Sequence, residues 1–119
     1  MTIQECYQAL EGSYEEVLGR LYNEALVKKF VAMFLSDKSF QLLEDSMKSQ
    51  NYEEAFRGAH TLKGVCQNLA FTKLYESSQE ITEALRNKDY SRASELLVQV
   101  ELDYAQTYAA VQAFQKQNQ

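Results

Sequence analysis

The sequence predicts an all-α protein: an antiparallel, up-and-down four-helix bundle with additional helical segments at its N-terminus. Three observations carry this. The 119 residues contain no proline and only four glycines, while Leu, Ala, Glu, Gln and Lys are plentiful, a composition that favours helix over sheet. Apolar residues recur at three- and four-residue spacing along most of the chain, and no run alternates with period two for long enough to make a strand. Helix-start signals recur with brief connections between them, which makes sequence neighbours antiparallel neighbours in space.

The elements follow in order. Thr2 and Glu5 stand at capping-box spacing and open a short helix to Leu10, which Gly12 ends. Ser13 and Glu16 repeat that spacing before Val17, Leu18 and Leu21. Gly19 weakens this second segment and Asn23 offers a fresh cap, so a bend or break is expected between them. Leu26, Phe30, Met33 and Phe34 continue the apolar stripe to about Leu35. Ser36-Asp37 is the next turn and cap, and Phe40, Leu43 and Met47 mark a helix from about Lys38 to Ser49. Asn51 with Glu54 caps the following helix. Phe71-Thr72 is a junction with Thr72 as the expected cap, and Leu74, Ser78, Ile81 and Leu85 form the core side of the helix after it. The serine on that side implies close approach of a neighbour. Asn87-Lys88-Asp89 turns the chain, with Asp89 as cap. Tyr90, Ala93, Leu97, Val100, Tyr104, Val111 and Phe114 run down a last helix to about Lys116, and the glutamines at 112, 115, 117 and 119 are expected to fray. Residues 1–119 thus read as one domain. Its core bundle covers about 38–116, and helices within about 2–35 pack along or across one end.

Composition narrows the function. A chain of this size buries roughly two-thirds of its unfolded surface, enough for a real core, and 45% hydrophobic with 24% charged residues is ordinary for a globular domain. The net charge of -5, from 17 acids and 12 bases, lacks the basic footprint that nucleic acid requires. Cys6 and Cys66 do not make a disulfide framework, and Cys66 falls on a core stripe, where a buried free thiol is expected. There is no signal-peptide pattern and no apolar run of membrane-spanning length, so a cytoplasmic location and no membrane partner are expected.

The helix that Asn51 opens holds the only histidine. At 100° per residue, Ala55, Ala59, Leu62, Cys66 and Leu69 share its core side. His60 points the other way, surrounded by Glu53, Phe56, Arg57, Lys63, Gly64 and Gln67, so its imidazole is expected to be exposed. A lone surface histidine commonly has no task. A metal site is disfavoured here because nothing nearby supplies a second strong ligand, and a catalytic triad is disfavoured because there is no nucleophile elbow. The neighbours point elsewhere. Neutral imidazole is a good nucleophile near neutral pH. Lys63, one turn on, can offset the charge of an incoming phosphoryl group. Gly64 leaves backbone bare beside the ring, at about 1 kcal/mol relative to alanine, which suits close approach by another protein.

The segment Ala59-His60-Thr61-Leu62-Lys63-Gly64, followed by Asn68-Leu69, resembles the signature of histidine-containing phosphotransfer domains, the helical relay modules of two-component phosphorelay signalling. Size, helix order and the break after Leu69 agree with it, from about Asn23 to Val111. The resemblance implies that His60 is phosphorylated, that Lys63 assists the phosphoryl group and that Gly64 leaves room for a receiver domain. It implies response-regulator receiver domains or a hybrid histidine kinase as partners. It also implies no cofactor on this chain, the Mg²⁺ being carried by the receiver, and no independent turnover, since there is no ATP-binding segment. Phe56, Arg57 and Gln67 are candidate partner contacts around His60. Some members place a glutamine on the following helix near the histidine; that place is held here by Thr82, with Gln79 one turn before, and either is a candidate to hydrogen-bond near the ring. Two departures stand out: many members have glycine where this chain has Ala70, and a small residue where it has Val65. A monomer is expected. The competing reading is a helical adaptor that works without phosphorylation and would be indifferent to His60→Gln.

Overall fold

The computed structural model describes residues 1–118. Among these residues there are seven α-helices and no strand: α1 (Ile3–Leu10), α2 (Tyr14–Leu21), α3 (Glu24–Met33), α4 (Ser39–Lys48), α5 (Tyr52–Leu69), α6 (Thr72–Arg86) and α7 (Tyr90–Gln117). A 3₁₀ turn, Phe34–Ser36, links α3 to α4. Helix α4 packs on α5, α5 on α6 and α6 on α7, the up-and-down bundle the sequence predicts.

The caps explain most boundaries. Thr2 and Glu5 form the full reciprocal capping box. At α2 only half of it forms. Ser13 accepts from the Glu16 amide at 3.2 Å, while the Glu16 carboxylate turns to Arg20 at 2.7 Å. Asn23, Asn51 and Asp89 each accept an amide of the first turn of α3, α5 and α7. Asp37 accepts from the Ser39 amide at 2.9 Å, just ahead of α4.

The break expected between Gly19 and Asn23 comes at Tyr22, whose φ of 60° ends α2. Three local expectations need correction. Thr72 is not a cap: α6 starts without a side-chain cap, and the Thr72 hydroxyl donates back to the Ala70 carbonyl. The glutamines at 112, 115 and 117 stay helical, and residue 119 lies outside the described residues. On α3 the core stripe is Val27, Val31 and Phe34, while Leu26, Phe30 and Met33 are 39%, 38% and 55% exposed. These two stripes are adjacent on the helix and both apolar, so periodicity does not choose between them; packing against the bundle does.

The 28 residues of α7 span about 42 Å, which sets the 40 Å long axis of the molecule. The helix outruns its bundle partners, and α1 lies along its C-terminal half, with the Cys6 thiol against the Ala110 carbonyl at 3.6 Å. Phe71, at the turn between α5 and α6, joins these N-terminal helices to the bundle. Its ring meets Tyr7 of α1 at 5.6 Å and Phe34 at 5.2 Å, all three buried. Each such ring stabilises the fold by about 2–3 kcal/mol through area removed from water.

Candidate phosphohistidine site

The site is built on one long helix with two unlike faces. Ala55, Ala59, Leu62, Cys66 and Leu69 of α5 are buried as expected, and His60 is exposed. Lys63 and Gly64 are half-buried on the same outer face. A methyl group added at Gly64 would meet nothing within 4 Å, so the backbone beside His60 is open to solvent. Gly58, two residues before His60, has the opposite surroundings: a methyl there would come within 2.7 Å of the Leu43 amide nitrogen. That close approach of α4 fixes the depth of α5 in the bundle.

The flanks of His60 differ. Helical geometry puts Phe56, Lys63 and Gln67 on one side of it and Gly64, Asn68 and Val65 on the other. On the first side the Phe56 ring lies 5.7 Å from the imidazole, tilted by 30°. The Arg86 guanidinium sits over the same ring, 5.1 Å from its centre, in a cation–π contact. Arg86 also pairs with Glu83 at 3.3 Å. It was not among the residues singled out from the sequence. The signal was there, because Phe56 and Arg86 lie equally far from Phe71 at the tight turn between two antiparallel helices. The His60 imidazole makes no hydrogen bond among the described residues.

On the second side an apolar groove of about 460 Å³ opens between α5, α2 and α3. Phe30 and Met33 of α3 face Val65, Asn68 and Leu69 of α5 across it, and Arg20 and Leu21 of α2 close one wall. The valine at position 65 therefore contributes groove surface. The end of α5 keeps the geometry that glycine would give, since Ala70 adopts φ 56°, ψ 41° and the Phe71 amide reaches back to the Cys66 carbonyl at 2.9 Å.

The remaining candidates separate. Arg57 is exposed and bound to Glu54 at 2.5 Å, a hydrogen bond that holds its guanidinium charged. Gln67 is exposed, and its carbonyl accepts from Arg20. Gln79 is exposed on α6 and lines a shallow cleft with Glu83, Asp89 and Arg92; no hydrogen bond joins it to His60 among the described residues. Thr82 is fully buried, and its hydroxyl donates to the Ser78 carbonyl at 2.6 Å, so it presents no surface to a partner. It is the level of Thr82 along α6 that matches His60, while its direction is inward.

The chain matches the family model described as Hpt domain over residues 26–113. It belongs to the Hpt domain family. Comparison with curated proteins and with solved structures gave no significant match. Hpt domains are helical phosphotransfer modules of phosphorelays, working with receiver domains and kinases and not as independent enzymes. The matched region contains most of α3, all of α4 to α6, most of α7 and the whole His60 face, and leaves residues 1–25 and 114–119 outside. No helix among the described residues is long and apolar enough to cross a membrane, and no group of three His, Cys, Asp or Glu side chains gathers as a metal site.

Proposed function

We propose that this Hpt domain is a phosphorelay intermediate in the cytoplasm that accepts a phosphoryl group on His60 from a receiver aspartate, or from a kinase, and passes it to another response regulator. One observation carries the reading: the exposed His60 shares the outer face of α5 with Lys63 and with the open backbone of Gly64, inside the family match.

The chemistry needs little from this chain besides a nucleophile, charge and position. The lone pair of a neutral imidazole nitrogen, Nε2 by family resemblance, attacks phosphorus in line. The N–P bond forms as the P–O bond to the aspartate breaks, and the aspartate leaves as carboxylate. Lys63 stabilises the charge on the transferring oxygens. The receiver's own Mg²⁺ serves the same charge from the partner's side. Phe56 limits the swing of the imidazole on one flank, and Arg86 stands behind it as a second cation for the partner's acidic rim. Gly64 admits the partner's backbone, and the groove beyond it, with Phe30, Met33 and Val65, offers apolar surface for docking. A transient contact of this kind can be small.

The test is phosphotransfer to purified protein from small phosphodonors and from phosphorylated receiver domains, wild type beside His60→Gln. Acid-labile, base-stable label on wild type alone supports the relay. Equal labelling of both proteins, or none from any of a broad panel of receivers, leaves the adaptor reading.

A further inference from the structure

The groove beside His60 is not built from the shared domain alone. Arg20 and Leu21, which close its α2 wall, precede the family match, which begins at residue 26. The helices that carry them are tied to the end of the histidine helix. The Tyr7 hydroxyl donates to the Leu69 carbonyl at 2.7 Å, the Ser13 amide donates to the Ala70 carbonyl at 2.9 Å, and Arg20 donates to the Gln67 carbonyl. These carbonyls lie at the helix end, where backbone acceptors are left over, and the Gln67 carbonyl also accepts from the Ala70 amide at 3.2 Å. Gly12 sits so close to Ala70 that a methyl group there would come within 2.5 Å of its carbonyl oxygen. The wall is therefore held in fixed register with the face that presents His60.

A second, independent observation lies at the corner after α2. Tyr22 has φ 60° and is 88% exposed. Five non-glycine residues adopt positive φ among the described residues, and Tyr22 is the one that exposes an aromatic ring there. Glycine or asparagine would meet the backbone requirement more easily. The ring adds almost nothing to the core, so the fold does not account for it. Exposed tyrosine with an apolar body and a polar tip is the residue type that protein interfaces favour. Continuing from Tyr22, the exposed Leu26, Phe30 and Met33 follow at helical spacing and lead into the groove.

We infer that α2 and its corner are a partner-selecting wall, with Leu21 and Tyr22 contacting the receiver domain docked on His60 and setting which receivers exchange phosphoryl groups with this chain. The inference rests on the relay reading and adds to it where the selection is made. The groove is continuous with the His60 face through Val65 and Asn68 on the same helix, so one partner spans both. The residues that handle the phosphoryl group belong to the shared domain, whereas this wall lies outside the family match.

The experiment measures kcat and KM for transfer to His60 from a panel of purified receiver domains, each phosphorylated with acetyl phosphate. Tyr22→Asn suits the left-handed backbone and leaves the core untouched, so it decides the matter even where Leu21→Glu weakens the fold, which circular dichroism reports. Met33→Ser probes the groove inside the shared domain. For both wall variants KM should rise about fivefold to tenfold for some receivers and much less for others, with kcat little changed, as expected for loss of a docking contact. If Met33→Ser raises KM and both wall variants leave every receiver unchanged, the wall is not an interface and the inference falls while the relay stands. If the wall variants change all receivers equally, the wall does not select and the inference also falls. If wild type takes label from no receiver, the relay reading falls and the inference with it. A concentration-dependent dimer that Tyr22→Asn abolishes would assign the wall to a second copy of this chain and overturn the inference.

Discussion

Replacing Gly64 by alanine should make this protein more stable and less able to work. The glycine lies inside the 18-residue α5, where it costs about 1 kcal/mol relative to alanine. In the free protein a methyl group at this position would meet nothing within 4 Å, so no clash offsets the gain. Gly64→Ala should therefore raise stability by about 0.5–1 kcal/mol, which for a chain of this size moves the midpoint of thermal unfolding up by roughly 2–4 °C. Gly58→Ala is the matched contrast on the same helix. Its methyl would come within 2.7 Å of the Leu43 amide nitrogen and 3.0 Å of the Ser39 carbonyl oxygen, backbone atoms that only a shift of α4 can relieve. Overpacking of that kind costs about 1–3 kcal/mol and outweighs the propensity gain. The two substitutions, chemically identical and six residues apart, should have opposite signs. Function should follow the other order at Gly64. A methyl that holds a receiver about 1 Å too far away can slow in-line transfer about 100-fold. Thermal unfolding by circular dichroism gives the first quantity, and transfer from a phosphorylated receiver, compared with labelling by acetyl phosphate, gives the second. A lower unfolding temperature for Gly64→Ala would refute the account of local space. A higher one with wild-type transfer from receivers would refute the role of the glycine in docking.

Other outcomes follow from the same structure. Lys63→Ala should slow transfer from receivers about tenfold or more, the worth of one charge-assisted hydrogen bond, measured as kcat/KM; an unchanged value would remove Lys63 from the site. Burial pushes both thiols up, Cys6 to about 11 and Cys66 further, so a thiol reagent at pH 8 should find no fast-reacting cysteine in the native protein and two after denaturation. Glu101 on α7 is held above the usual carboxyl range, first by its hydrogen bond to Glu44 on α4 and then by burial. Its folded pKa exceeds the unfolded one, so its contribution is full below the unfolded value and lost as pH rises through the folded one. Glu101→Gln should therefore stabilise the protein at pH 7 by up to about 1 kcal/mol and give no gain below about pH 4; a gain that persists in acid would exclude repulsion as the cause.

Much of the bundle was legible because its signals are local. Thr2, Ser13, Asn23, Asn51 and Asp89 cap the helices they were expected to cap. The face of α5 was legible because its core stripe is narrow and its outer face holds no competing apolar run. What was not legible depended on the third dimension. Two apolar stripes on α3 compete, and only contact with the bundle buries Val27 and Val31 and leaves Phe30 and Met33 to the groove. Counting residues puts Thr82 level with His60, but the rotation of α6 turns its hydroxyl to Ser78. Arg20 on the Gln67 carbonyl joins residues far apart in sequence, which no spacing rule reaches.

The ties between the first helices and the end of α5 also bear on the order in which this chain can fold. Helices α4 to α7 meet their sequence neighbours across short turns, contacts that form early. Helix α1 touches its neighbour α2 mainly through the Tyr7 and Tyr14 rings, and its other ties are distant in sequence. Its tyrosine waits for a carbonyl 62 residues later, and its cysteine for one 104 residues later. During synthesis Tyr7 therefore remains without its hydrogen-bond partner until the end of α5 has been made, and Cys6 until α7 has been made. The wall beside His60 takes its place only once the end of α5 has been made, because its ties run to Gln67, Leu69 and Ala70.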